Sequence, residues 1–294
     1  MNFEIYSPFA LDSGYGGVCA LYQLAAMLEQ RGYPTPVTLT PHMAHPGVGL
    51  AHTVAIVPEC YPHNPSPYRN VVRWYLNNSP YTQFYADNEL SFTYSRTFDA
   101  PTRTPLLGQL FTTNFRTDVF YDRHLARSGT CYLIRKCGGG SKPAVHPADA
   151  LCLDDYNARG GHAYLAEVFN TFEHFISYDH STYINAYAAM CGIETVIIPD
   201  GTHSIEQRIS QCDLQMAGMA WGFEDVPRAR ATLPDLPNLI LASERASWTH
   251  LDAFLTLIDT HLHDQLRDHP SITRCSRCPS RPSRILRKRS AETP

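Results

Sequence analysis

The chain has 294 residues, of which 44% are hydrophobic and 11% aromatic; that is apolar material for a large core, and it excludes global disorder. The length predicts two domains rather than one. The net charge of −4 conceals a split: residues 274–294 carry seven basic residues and one acid, leaving 17 basic against 27 acidic residues, a net of −10, in the rest. An acidic body of this kind is a poor platform for a nucleic-acid backbone.

No apolar run approaches the ~18 residues of a membrane span. The N-terminus carries an acid and no basic stretch, so no signal peptide is expected and the chain is read as cytoplasmic. Nine scattered cysteines read as reduced thiols. Cys275 and Cys278 form a lone CxxC without further ligands at zinc spacing, and no metal site is predicted.

The first 40 residues read as strand, glycine loop, helix and strand. "FEIYS" is followed by "DSGYGG"; then Val18, Leu21, Leu24, Ala25 and Leu28 recur at helical spacing, Gly32 stops the helix, and "PVTLTP" follows. This is a βαβ beginning, which builds parallel sheets. "TVAIVPE" is a buried-type strand, "YRNVVRWYLNNSP" is predicted helical, and "LSFTYS" is a strand. Residues 97–128 are loop-rich, and a domain boundary is placed at their end. The α/β pattern then restarts with "CYLIRK", a helix marked by Leu165, Val168, Phe169 and Phe172, the strand "HFISY", a helix over Ser181–Cys191, and the strand "TVIIP". The span from "CGGGSK" to "LCLDDYN" shows no regular pattern. Trp248, Leu251, Leu255, Ile258 and Leu262 form the stripe of a last helix, placed across the domain junction. The predicted architecture is α/β with two Rossmann-like domains facing a cleft, residues 1–128 and 129–268, and a basic, disordered tail over 269–294.

The stretch "FISYDHSTYINAYAAMCGIETVIIPDG" places a polar corner at a strand end, where open α/β sheets bind ligands. Ser181 and Thr182, with the free N–H groups of a helix start, suit a diphosphate. Asp179 would repel that anion, so it is assigned to capping the helix or to a sugar hydroxyl; Tyr178 is placed against the base, ribose or sugar. Arg135 and Lys136 end the first strand of the same half, on the same sheet edge, where they can offset charge on a departing nucleoside diphosphate. Gly14, Gly16 and Gly17 let backbone approach a ligand from the other side of the cleft. They lack the full dinucleotide spacing, which argues against a nicotinamide cofactor. Asp12, on the glycine loop, and Glu59, ending "TVAIVPE", stand as candidates for a general base in the first half.

Taken in order, "SGYGGVCALYQLAAMLEQRGY", "VPECYPHNPSPYRNVVRWYLNNSP", "CYLIRK", "FISYDHSTYINAYAAMCGIETVIIPDG" and "AGMAWGFEDVPRARATLP" resemble GT-B glycosyltransferases of the bacterial and phage polysaccharide type. They span most of residues 3–260. The resemblance implies twin Rossmann-like domains, a nucleotide-sugar held mainly by the second half, and no obligatory metal or other cofactor. The implied acceptor is a hydroxyl of a glycan or a lipid-linked glycan. The pattern departs from the family in lacking its glutamate-rich sugar-binding motif, for which Glu194 is a poor substitute. The basic tail adds an anionic membrane surface, at the inner face, as an expected contact. A phage-type DNA-modifying transferase and an inactive nucleotide-sugar-binding module are the competing readings; nucleic acid is the less favoured partner because the body is acidic.

Overall fold

A computed structural model describes residues 1–11, 15–39, 52–95, 106–113, 115–135, 144–180 and 182–268. The chain is α/β and Rossmann-like, with two all-parallel sheets.

The first sheet is built from β1 (Asn2–Ser7), β2 (Val37–Leu39), β3 (Thr53–Pro58), β4 (Asn70–Tyr75), β5 (Leu90–Thr93) and β6 (Leu106–Gln109), in the order β2-β1-β3-β4-β5-β6. The second contains β7 (Thr130–Leu133), β8 (Leu151–Cys152), β9 (His174–Ser177), β10 (Glu194–Ile197) and β11 (Met219–Trp221), in the order β11-β10-β9-β7-β8. Counted from the first strand of each half, the second sheet follows 2-1-3-4-5 and the first the same order with a sixth strand added at its far edge. The strand order therefore reverses between β1 and β3 in one sheet and between β7 and β9 in the other. A crevice opens at such a reversal, because the connections on its two sides leave toward opposite faces.

Pleat alternation sorts the first core. Phe3, Ile5, Val54, Ile56, Val72 and Trp74 point to one face, packed by helix α1 (Gly16–Gln30) and by α6 (Leu236–Asp268). Tyr6, Ala55, Val57 and Val71 point to the other, where Tyr61 and Tyr68 cover them. All six residues of β3 are buried, as expected for a central parallel strand. Gly32, at φ +86°, takes the left-handed turn that ends α1.

In the second half, α2 (Gly161–Thr171) and α3 (Ile184–Met190) pack against β7 and β9 through Leu165, Phe169, Phe175 and Ala188. The 33-residue α6 joins the two cores. Leu236 and Ile240 pack with Met219 and Trp221, whereas Leu251, Phe254 and Ile258, spaced to share one helix face, enter the first core. Each of those three side chains contributes about 1.5–3 kcal/mol by leaving water.

The segment predicted to be helical at residues 68–80 is instead strand β4. Its β-branched and aromatic run is short enough for a strand buried on both faces, and a run of that length carries no decisive period. Arg73 is consequently fully buried: its guanidinium donates to Glu89 at 2.8 and 2.9 Å and to the carbonyls of Pro58 and Tyr61. The irregular span after β7 also holds a strand, the two-residue β8. Among the described residues, no helix is long and apolar enough to cross a membrane. The basic tail, residues 269–294, lies outside the described residues.

Candidate functional site

A cleft of about 800 Å³, part of it open to solvent, separates the carboxyl edges of the two sheets. From the first half, Tyr15, Gly16, Cys19, Ala20 and Gln23 line it, on the turn after β1 and the first turns of α1. Tyr94, just past β5, and Thr112, past β6, complete that wall. From the second half come Arg135 after β7, His162 on α2, Asp179 and Thr182 after β9, and Tyr183 and Tyr187 at α3. The cleft thus lies beside both strand-order reversals, where parallel-sheet geometry leaves room for a ligand.

The two walls are tied at one point. The Tyr94 hydroxyl donates to the Thr112 carbonyl at 2.8 Å and accepts a hydrogen bond from the Tyr183 hydroxyl. Burial, then the mutual proximity of these phenols, pushes the Tyr94 pKa well above the usual phenol range, so the pair stays neutral. Thr112 Oγ1 is buried and has no hydrogen-bond partner among the described residues. A buried hydroxyl left unpaired on a cleft wall is a group awaiting a ligand or water.

Arg135 is half-buried, its guanidinium 5.2 Å from the centre of the Tyr156 ring. It lines the cleft and makes no ion pair among the described residues. Thr182 Oγ1 accepts from the Ile184 N–H at 3.3 Å, which leaves its own O–H to donate.

The polar corner after β9 differs from the predicted geometry. The sequence pattern has a helix over Ser181–Cys191 capped by Asp179 or Ser181, but α3 begins at Ile184, its capping position is Tyr183, and no side chain caps it. Ser177 Oγ and Asn185 Nδ2 both donate to the Asp179 carbonyl at 2.9 Å, pinning the chain before it can enter the helix. Asp179 nevertheless reaches the cleft wall, 3% exposed. Tyr178 does not line it: its ring is buried, and its hydroxyl accepts from the Val145 N–H and meets His146 Nδ1, both at 2.8 Å.

Gly16 lines the cleft, while Gly17 turns toward Leu76, 3.5 Å from where its Cβ would stand. Glu59 lies apart from the lining. It is 9% exposed and accepts from the Leu76 N–H at 2.9 Å, holding the chain where β4 ends. Burial pushes its carboxyl up to about 7, against the opposing pull of the Leu76 N–H and Arg73. Asp12, Gly14, Lys136 and Ser181 lie outside the described residues. Of the residues singled out from sequence, Arg135, Asp179, Thr182 and Gly16 meet in one cleft.

Sequence reasoning does not single out Tyr94, Thr112, His162 or Tyr183. They sit after strands or at helix starts far apart in the chain, and Tyr183, although inside the quoted polar-corner stretch, carries no pattern that marks it. The exposed aromatic Tyr15 beside the glycines is the nearest signal. No group of three His, Cys, Asp or Glu side chains suited to a metal ion occurs among the described residues. The chain matches no protein-family model, and no curated protein is significantly similar to it.

Proposed function

We propose that the chain is a glycosyltransferase of the GT-B type, moving a sugar from a nucleotide donor to a hydroxyl acceptor, a glycan or lipid-linked glycan. The observation that carries this reading is Arg135: a guanidinium without an ion-pair partner among the described residues, at a strand-order reversal, on a cleft whose opposite wall belongs to a second parallel sheet. A planar guanidinium matches a diphosphate in two-pronged fashion and offsets the charge that builds on it as the sugar departs. The Thr182 hydroxyl adds a donor on the same side. Asp179, buried in the wall, is suited to a sugar or ribose hydroxyl rather than to phosphate.

On this reading the donor belongs to the second half, and the acceptor enters along Tyr15 and Gly16. Charge neutralisation by Arg135 takes the part that a divalent cation plays elsewhere, with Lys136 as a second candidate cation beside it. The neutral Tyr94–Tyr183 pair forms the uncharged end of the cleft.

A thermal-shift screen of nucleoside diphosphates and nucleotide-sugars tests the proposal. One base is expected to stabilise the protein selectively, by about 2.7 kcal/mol at a hundredfold excess over Kd. Arg135→Ala should remove most of that shift. A protein indifferent to every nucleotide, or an Arg135→Ala variant that responds like wild type, defeats the reading.

A further inference from the structure

His162 stands in the first turn of α2, on the cleft wall. Its ring abuts a stacked aromatic pair on one side. The Phe120 ring meets it edge-on at 5.5 Å and the Tyr187 ring at 5.4 Å, and those two rings stack on each other at 4.1 Å, nearly parallel. The imidazole thus packs edge-on against this aromatic pair, and neither ring nitrogen has a hydrogen bond or ion pair among the described residues. A histidine that only fills a core usually bonds at least one nitrogen to a carbonyl or carboxylate. Here both nitrogens are left for the cleft or its water.

We propose that His162 is the general base of this cleft, taking the proton of the acceptor hydroxyl. This rests on the glycosyl-transfer reading and places a base on the cleft wall itself; of the two carboxylates singled out from sequence, Glu59 is committed to Leu76 away from the cleft and Asp12 lies outside the described residues. The step is an inverting displacement. The acceptor oxygen forms a bond to the anomeric carbon, and the bond from that carbon to the diphosphate oxygen breaks. Its electron pair leaves on the diphosphate, beside Arg135. The hydroxyl proton passes to a free nitrogen of His162, and the imidazolium later releases it to solvent.

The surroundings favour the neutral, accepting form. Burial, and then the nearby positive charge of Arg116, hold the His162 pKa below the ordinary imidazole value, while Asp118 pulls weakly the other way. Arg116 and Asp118 are themselves paired at 2.9 and 3.0 Å on the segment between the sheets. Tyr187 faces His162 from α3, kept neutral because burial raises its pKa; Cys19 on α1 lies within electrostatic reach of Tyr187 and Arg116, and burial keeps it a thiol.

The test compares wild type with His162→Asn, after the screen above has identified the nucleotide. The variant is expected to bind the nucleoside diphosphate within about twofold of wild type. Its kcat should fall at least ~100-fold, the lower end of what a positioned base contributes. Wild-type kcat should decline on the acid side, at a pH below the ordinary imidazole range because burial lowers the His162 pKa, and the variant should lack that limb. If His162→Asn keeps kcat within about threefold and retains the limb while wild type still turns over a sugar donor, the base assignment is overturned and glycosyl transfer stands. If wild type neither selects a nucleotide nor turns one over, glycosyl transfer falls and the assignment falls with it. Where Asn unsettles the three-ring packing, the ¹⁵N spectrum of the wild-type imidazoles decides. The His162 signal should titrate below about 6.5 and move on adding the nucleoside diphosphate; a signal blind to both refutes the role.

Discussion

Glu59→Gln separates a structural carboxyl from a catalytic one. Glutamine keeps a carbonyl to accept from the Leu76 N–H and removes the titrating proton. In the folded protein, burial above all raises the Glu59 carboxyl from the ordinary 4.5 to about 7. The folded chain then binds that proton more tightly than the unfolded chain does. The stabilisation is complete below about pH 4.5 and is lost as pH rises through about 7. At about 1.4 kcal/mol per pH unit, the interval corresponds to about 3 kcal/mol. Because Glu59 is only 9% exposed, solvent screening takes little from this figure. The assay is a thermal melt of wild type and variant at pH 5, 6, 7 and 8. One kcal/mol moves the Tm of a chain of this size by about 2–4 °C, so the variant should gain on wild type by on the order of 5–10 °C between the ends of the series. Using the difference between the two proteins cancels every other titrating group. Two melting curves that stay parallel across the series would refute the reasoning, since they would mean that Glu59 titrates alike in both states.

Two other perturbations probe the frame around the cleft. Glu89→Gln leaves the fully buried Arg73 without its counter-charge and should cost about 3–5 kcal/mol in urea unfolding, whereas the double variant Arg73→Met with Glu89→Leu, which removes both charges, should recover most of the loss; a silent single variant would show the pair to be dispensable. Gly192→Ala places a Cβ 2.5 Å from Asp122 Oδ2 at φ +76°, so a drop in stability of more than ~1 kcal/mol is expected, and a neutral effect would mean that the turn after α3 shifts freely.

Much of the fold is legible in the chain itself. The stripe of α1 is visible at Val18, Leu21, Leu24 and Leu28, and its stop is Gly32. The central strand "TVAIVP" announces itself by being apolar throughout. The segment holding β4 is the instructive exception. Arg73 and the asparagines after it give the surface appearance of an amphipathic helix, and only Glu89, sixteen residues later, explains how an arginine can lie in a buried strand. The polar corner shows a second limit. Asp179 and Thr182 of "YDHST" do line the cleft just past a strand end, but with the Ser177 and Asn185 side chains bonded to the Asp179 carbonyl the helix begins only at Ile184. The cleft lining is legible at Arg135, a charge at a strand end, and not at Tyr94, Thr112 and His162, which carry no local pattern.

By itself, the sequence determined that two α/β halves follow one another, because hydrophobic periods of two and of 3.6 are set by neighbours a few positions apart. Only the tertiary structure decided which strand ends face each other and that α6 binds both cores. It alone brought an arginine, a tyrosine pair and a histidine to one cleft, because those meetings depend on strand order and on contacts between residues far apart in the chain.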